Sequence, residues 1–588
     1  MTDATPPELA DPRDARIALA APSPLAEFNA IGLLAAADVH VALRLCELAG
    51  EGDDAVALAT AFAVRAPRHG HVYVDLATIA ETATVDAEEP VDLSGLPWPG
   101  EDWAARVAAS PLAGHALRLE GSALYLDRYW REERRVAEDL LAFGAAHHVP
   151  DARLETGLAR LFTGGDDASQ RAAAEAAIRR RFAVVAGGPG TGKTTTVARI
   201  LALLAETSGA LPLVALAAPT GKAARRLEEA VHEAARELDV SAGVRDALLS
   251  LSASTLHRLL GARPGTNRRR HHRGNRLPHE VVIVDETSMV SLSQMARLVE
   301  AVRPSGRLVL VGDPHQLSSI EAGAVLSDIV EAGGPGVVEL DHVFRFGAGI
   351  GALAAAVRRG DADAALDVLA GNAAGVTWIP ADAAADAVQP SAVEAGRAVV
   401  AAARAGDAAG ALDALGAFRV LCAHRHGPYG VDTWTARIED WLGDTVAGGG
   451  RWYTGRPLLI TQNDYGLNLR NGDAGVVVTT GPGTVTAAFE RRGEVVTFAP
   501  TRLSAVETVY AMTVHKSQGS QFGTAVVLLP PASSPILTRE LLYTAVTRAR
   551  RELVLVGPEE TIRAAIERPV ARASGLARRL RDLRSSTP

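Results

Sequence analysis

The spacing of apolar and polar positions divides the 588-residue chain into regions of different texture. Over residues 1–150 apolar side chains recur mostly with helical spacing, most clearly in 31–48 and 131–143. The run 70–76, GHVYVDL, suits either a short strand or the start of a buried helix, and a Pro- and Gly-rich break follows at 90–100. From about 151 the pattern changes. Short apolar runs at 182–186, 213–217, 281–284 and 307–311 each precede a loop and usually a helical stretch. That alternation predicts a parallel sheet with helices on both faces. A second such set lies at 418–422, 506–511, 525–529 and 553–556. Between 451 and 505, four β-like runs (457–461, 474–480, 484–489 and 494–498) alternate with Gly, Asn and Asp turns, predicting a small β-barrel inserted into the second sheet domain. The Ala-rich stretch 350–415 reads as helices, and 584–588 as a frayed tail.

Composition narrows the class. With 48% hydrophobic and 22% charged residues, the chain can build large cores, and general disorder is excluded. Aromatics are only 4%, so those cores rest on Ala, Val, Leu and Ile. No apolar stretch approaches the ~20 residues of a spanning helix, and the Asp- and Pro-rich start does not read as a signal peptide. Two cysteines, Cys46 and Cys422, exclude a disulfide framework, a zinc ribbon and a four-cysteine iron–sulfur cluster. A cytoplasmic protein without a membrane partner is expected. At a net charge of −9, contact with nucleic acid has to use local basic surface. Of 60 basic residues only Lys193, Lys222 and Lys516 are lysine. In an arginine-rich chain, those three either mark positions where a compact ammonium serves and a planar guanidinium does not, or survive by chance.

All three fall in motif-like loops. Gly187-Gly188-Pro189-Gly190-Thr191-Gly192-Lys193-Thr194, followed by Thr195, fits G-x-x-x-x-G-K-[ST] between a predicted strand and a predicted helix. Its glycines let backbone N–H groups close around phosphates, Lys193 reaches the β/γ-phosphates, and Thr194 holds Mg²⁺. The strand 281–284 ends in Asp285-Glu286. An acidic pair after a strand can arise by accident; after a phosphate loop, Asp285 completes a Mg²⁺ site and Glu286 activates the attacking water. Gly312-Asp313-Pro314-His315-Gln316 follows the next strand and alone would be a turn, but it places Gln316 where a γ-phosphate can be sensed. Arg345 and Arg548 stand in apolar or small-residue surroundings, as ion-pair partners or as stabilisers of transition-state charge. Lys222 lies in APTGKAA and Lys516 in TVHKSQG. The doublets His147-His148 and His271-His272 lack metal-ligand spacing. The segment 261–279 holds Arg263, Arg268, Arg269, Arg270, Arg273 and Arg276 with no acid before Glu280, either a solvated loop or a phosphate-contacting surface.

Taken in order, Gln170, GGPGTGKT, APTGKAA, TLHRLLG, VIVDETSM, GDPHQL, VFRF, TVHKSQGSQF and RELLYTAVTRAR resemble a superfamily 1 helicase of the 5′→3′, RecD-like branch, across roughly 170–557. The stretches 28–48, 70–76 and 124–130 resemble the leading domain of that branch's exodeoxyribonuclease V subunits. The resemblance implies an α/β protein: two RecA-like parallel-sheet motor domains at 151–340 and at 341–450 with 506–580, a helical partner-docking domain at 1–150, an SH3-like β-barrel insertion at 451–505, and a small hairpin, or pin, at 261–279. It implies ATP and Mg²⁺ as cofactors, single-stranded DNA and DNA ends as substrate, and RecB-like and RecC-like subunits as partners. Gln170 would meet the adenine. Thr220, Lys222, Thr255, His257, Thr513 and His515 would line the strand track. Gln521 stands where the family has Glu. A free-standing helicase and a nucleotide-gated structural subunit with incidental ATPase are the alternative readings; the full set of hydrolytic residues argues against the latter.

Overall fold

The computed structural model describes residues 14–85, 91–143, 152–263, 266, 268–344, 347–446, 450–464, 466–491 and 493–586. The leading part is largely helical, with its own core around Phe28, Phe62 and Trp103. It also holds a three-stranded antiparallel sheet, β1 (Tyr73–Asp75), β2 (Leu117–Glu120) and β3 (Ala123–Leu126), in the order β1-β3-β2. Within the run 70–76, Tyr73–Asp75 is thus a strand. The helix Asp127–Phe143 carries Val136, Leu140 and Phe143 into the core of the next domain, so the division expected near 150 runs through a shared core.

The first motor domain is built on β4 (Phe182–Gly187), β5 (Val214–Ala218), β6 (Ala253–Thr255), β7 (Val281–Val284), β8 (Arg307–Gly312) and β9 (Val337–Leu340), all parallel, in the order β6-β5-β7-β8-β4-β9. Its strands are apolar on both sides because both faces are covered. Val185, Ile283 and Val309 face one core, and Val184, Val282 and Leu308 face the other. The two strands not expected from the sequence, β6 and β9, are the sheet's edges, short and only partly buried.

The second motor domain starts with β10 (Val376–Ile379) and β11 (Phe418–Cys422). β10 interrupts a stretch expected to be wholly helical. An antiparallel sheet then intervenes: β12 (Pro457–Ile460), β13 (Ala474–Gly481), β14 (Thr484–Arg491), β15 (Glu494–Phe498) and β16 (Val506–Thr508), in the order β15-β14-β13-β12-β16. The parallel sheet is completed by β17 (Ala511–Thr513), β18 (Phe522–Leu528) and β19 (Ala549–Val556), giving β10-β19-β18-β11-β17. The run 506–511 was expected to be one strand of the parallel sheet. It divides instead: Val506–Thr508 pairs antiparallel with β12, while Ala511–Thr513 pairs parallel with β11.

Of the tail expected at 584–588, Arg584 and Ser585 belong instead to a helix, and 587–588 lie outside the described residues. The helix Leu576–Ser585 buries Leu576 and Leu580 against the first motor domain and the leading domain. The segment before it donates and accepts there as well, Ala573 N–H to His71 Nδ1 (3.0 Å) and Val72 N–H to Ala573 O (2.7 Å). The helix Leu576–Ser585 therefore packs with the leading part and the first motor domain, not with the second.

Candidate nucleotide cleft and strand track

Strand β4 ends at Gly187, and the helix Lys193–Ser208 begins six residues on. The loop between them presents its N–H groups at a helix N-terminus, a favourable place for phosphate. Gly192 sits at φ 79°, and a Cβ there would lie 2.4 Å from Gln170 Nε2, so only glycine fits. Lys193 Nζ donates to the carbonyls of Gly187 (2.7 Å) and Gly188 (2.9 Å). Gln170 is buried behind the loop: its Nε2 donates to Thr191 O (3.1 Å), and its Oε1 accepts from Arg199 Nη1 (2.7 Å). Both ends of the amide are engaged in bracing the loop. Arg199, which the sequence did not single out, also faces Asp167 and lies over the Phe162 ring.

Asp285 and Glu286 follow β7. Asp285 Oδ1 accepts the Glu286 N–H (2.8 Å). Burial, and then the Glu286 charge, push the Asp285 carboxyl well above the usual carboxylate range, while Lys193 opposes this. Glu286 is one of three non-glycine residues at positive φ among the described residues, at φ 51° and ψ 40°. Such strain persists where the surroundings impose it, commonly at working sites. Gly312, at the end of β8, allows the close approach: a Cβ there would lie 3.1 Å from Thr287 N and 3.2 Å from Ser288 N.

Beyond β8, Asp313 is buried and organises the turn, accepting from His315 N–H (3.0 Å) and from Gln316 Nε2 (2.8 Å). Gln316 Oε1 in turn accepts from Arg548 Nη2 (3.0 Å). Arg548 belongs to the second motor domain, where its Nε donates to Thr544 O (2.9 Å) and its Nη1 to Ser520 O (3.1 Å). Two further bonds join the same pieces, Leu317 N–H to Thr544 Oγ1 (2.9 Å) and Gln518 Nε2 to Leu317 O (2.8 Å). Tyr543 sits between the domains with its hydroxyl toward Asp313; burial and that carboxylate raise its pKa well above the ordinary phenol value.

These elements enclose a cleft of about 580 Å³ between the two parallel sheets. Pro189, Gly190, Gly192, Lys193, Thr194, Thr195, Asp285, Glu286, Gln316 and Arg548 all line it. Gln170 lies behind it, and Arg345 lies outside the described residues. Gln521 lines the cleft too, its Oε1 accepting from Arg550 Nε (3.1 Å), so the departure from the family's Glu falls on the nucleotide side. Among the described residues no group of three or more His, Cys, Asp or Glu is placed to hold a metal. Thr194 and Asp285 in one cleft suit Mg²⁺, which takes few protein oxygens and completes its shell with phosphate and water.

The candidate strand-binding residues form two groups at the C-terminal edges of the sheets. Thr220 follows β5 and Thr255 ends the neighbouring β6, where Ala218 pairs with Thr255. Thr513 ends β17, beside β11. Each threonine hydroxyl caps the turn after it: Thr220 Oγ1 accepts from Ala223 N–H, Thr255 Oγ1 from Arg258 N–H, and Thr513 Oγ1 from Lys516 N–H. Each O–H remains able to donate. His257 is exposed, and His515 is part-buried, its pKa held down by burial and then by Arg572. Lys222 points elsewhere than a surface track. Its Nζ donates to Ser520 Oγ across the motor interface (2.7 Å), and burial followed by Arg226 pushes its pKa down to about 8.

Comparison with known proteins agrees with this arrangement. Residues 166–376 match the AAA domain family, 508–556 the UvrD-like helicase C-terminal domain, and 30–126 the N-terminal domain of RecBCD enzyme subunit RecD. RecBCD enzyme subunit RecD of Mycolicibacterium smegmatis is 53% identical, over 93% of this chain and 98% of its own. Its namesake from Mycobacterium tuberculosis is 49% identical over 97% and 99%. The ATP-dependent RecD2 DNA helicase of Deinococcus radiodurans is 34% identical over 68% of this chain and 50% of its own. The fold and cleft define an ATP-dependent helicase motor of superfamily 1. Within that class, the chain belongs to the RecD family, the RecD subunits of RecBCD enzymes.

Proposed function

We propose that the chain is an ATP-driven 5′→3′ single-stranded DNA translocase and helicase, the motor subunit of a RecBCD-type helicase–nuclease that processes double-strand DNA ends together with RecB-like and RecC-like subunits. The observation that carries this reading is the bond between Gln316 and Arg548. It links the turn beside the phosphate loop to the second motor domain, so the loss of a γ-phosphate at Gln316 is felt by the arginine that holds the cleft closed. In this reading Thr194 and Asp285 hold Mg²⁺, which would neutralise phosphate charge. Glu286 takes the proton of the attacking water, Lys193 leaves its carbonyl partners for phosphate, and Arg548 meets the charge that develops in transfer.

Thr220, Thr255 and His257 on one motor domain, and Thr513 and His515 on the other, grip the strand in alternation as the cleft opens and closes. The antiparallel sheet 457–508 serves as the SH3-like domain, 261–279 as the pin where strands part, and the leading domain as the docking site for the partner subunits. The decisive experiment measures DNA-stimulated ATP hydrolysis and displacement of a block from either end of a single strand. Displacement only at the 3′ end, after loading at the 5′ side, supports the reading; displacement at the 5′ end overturns its polarity. Copurification of the native chain tests for two large partner subunits.

A further inference from the structure

The first motor sheet has an open corner. Its edge strand β6 pairs only with the second half of β5, Leu216 with Ala253 through Ala218 with Thr255. Beside the uncovered start of β5, a second cleft of about 630 Å³ lies between the first motor domain and the inserted antiparallel sheet. It is separate from the nucleotide cleft and shares no lining residue with it. Arg225, Arg258, Arg470 and Arg491 line it, against the carboxylates of Glu228 and Glu494.

Some of these charges are already engaged. Arg225 faces Asp473 Oδ2 (3.5 Å), and Glu228 Oε2 accepts the Ala253 N–H (2.8 Å). The other three arginines are not. Among the described residues the guanidinium groups of Arg258, Arg470 and Arg491 make no hydrogen bond or ion pair. Yet Arg470 is not a loose surface side chain. Its backbone N–H is fixed by Asp473 Oδ2 (2.8 Å), and its stem crosses from the insertion to the first motor domain over Gly221. A Cβ at Gly221 would lie 2.1 Å from Arg470 Cδ, so the bare glycine is what admits the arginine. Burial, and then the charge of Arg225, lower the Arg470 pKa, with Arg258 acting in the same sense and Asp473 and Glu228 opposing. Four arginines against two lining carboxylates leave like charge in excess, a cost that a bound anion relieves. In a chain of net charge −9, such a cluster is a local exception. It also has a direction. Gly221 adjoins Thr220, and Arg258 follows His257, so the cluster begins beside the residues assigned above to the strand track.

We propose that this cleft binds the backbone phosphates of the single strand as it leaves the first motor domain, with Arg258, Arg470 and Arg491 each neutralising a phosphate. The ligand is a continuous polyanion held by charge without base readout, and Arg470 makes the inserted sheet part of the grip. The inference rests on the helicase reading given above. Each phosphate neutralised on a single strand contributes about 0.7 to the slope of log affinity against log salt.

The test uses the full chain with a short oligothymidylate that fills only the track, a long one that extends past it, and tripolyphosphate as a small anion. Arg258→Gln, Arg470→Gln and Arg491→Gln are compared with the unaltered chain across a salt series, with thermal melting as the folding control. Arg491 lies near an exposed hairpin turn, which makes that variant the safest for folding. The expected result is a slope shallower by about 0.7 per variant on the long oligothymidylate only, and recovery of most of it by Arg470→Lys, since a point charge still neutralises a phosphate. Unchanged slopes on the long strand overturn the inference while leaving the helicase reading intact. So does a loss seen only with tripolyphosphate. Failure of the unaltered chain to bind any strand overturns both.

Discussion

Glu286 and Arg548 carry the most specific expectations at the scale of single residues. Glu286→Gln keeps the shape and the strained backbone but removes the base. DNA-stimulated ATP hydrolysis should fall ~10²–10⁴-fold with nucleotide binding retained, measured by steady-state ATPase beside nucleotide titration. Arg548 donates from three nitrogens to Thr544 O, Ser520 O and Gln316 Oε1. Arg548→Lys offers one ammonium in place of that planar fork, and ATPase and translocation should fall together. The three lysines now separate. Lys193→Arg should be the most damaging, because the loop closes around its ammonium. Lys222→Arg should come next, because the wider group has to displace the Ser520 contact at the motor interface. Lys516 is exposed and paired with Glu507 (3.2 Å), a partner that arginine also satisfies, so Lys516→Arg should be mildest. Equal activity in all three would mean that their placement is accidental. These residues were legible because phosphate chemistry demands particular side chains at particular spacings. Arg199 and Tyr543 were not, because an arginine or tyrosine within a helix carries no local sign of what it meets.

Elements were legible where a period shows and obscure where position in the sheet decides. The central strands of both motor sheets are continuous apolar runs and were anticipated; the edge strands β6, β9 and β10 are short, partly exposed and lack that signal. Residues 506–511 read as one β-like run, and only pairing partners divide Val506–Thr508 from Ala511–Thr513 between two sheets. The segment 261–279, proposed as the pin, shows the same contrast. Its arginines looked alike, but Arg273 pairs with Asp139 (2.6 Å) and Arg276 donates to Val302 O, while Arg268, Arg269 and Arg270 lie where the chain doubles back, with Ala262 bridged to Arg269. Replacing Arg268, Arg269 and Arg270 by Ala should therefore slow duplex unwinding more than single-strand translocation. Equal losses in both assays would assign them to the strand track.

For the whole molecule, the return of the chain's end matters most. Glu133, fully buried, accepts from Arg579 Nε (2.7 Å) and from the Gly575 N–H (2.8 Å), which ties the C-terminal helix to the leading domain. Arg579→Ala leaves that carboxylate without its cation, and breaking such a buried pair costs roughly 3–5 kcal/mol, to be read from denaturant unfolding. Nearby Asp328 is raised to about 7 by burial, with Glu133 and Glu331 acting in the same sense and the Ser574 hydroxyl and Arg572 opposing. Its unfolded carboxyl titrates near 4. The folded chain thus holds a proton that the unfolded chain releases between those values, and this contribution to stability falls as pH rises from about 4 to about 7. Asp328→Asn should melt higher than the unaltered chain at pH 8, with the difference shrinking toward pH 4.

By itself, the sequence determined the motor's class, because a phosphate loop, an acidic strand end and a glutamine after the next strand are local constellations that the backbone presents wherever it folds. Tertiary structure alone decided how the parts are joined. Gln316 meets Arg548 across 232 residues and Arg579 meets Glu133 across 446. Arg470 finds its place only through the missing side chain of Gly221. Contacts of that range depend on which faces are left uncovered once the sheets have formed, and no spacing along the chain records that.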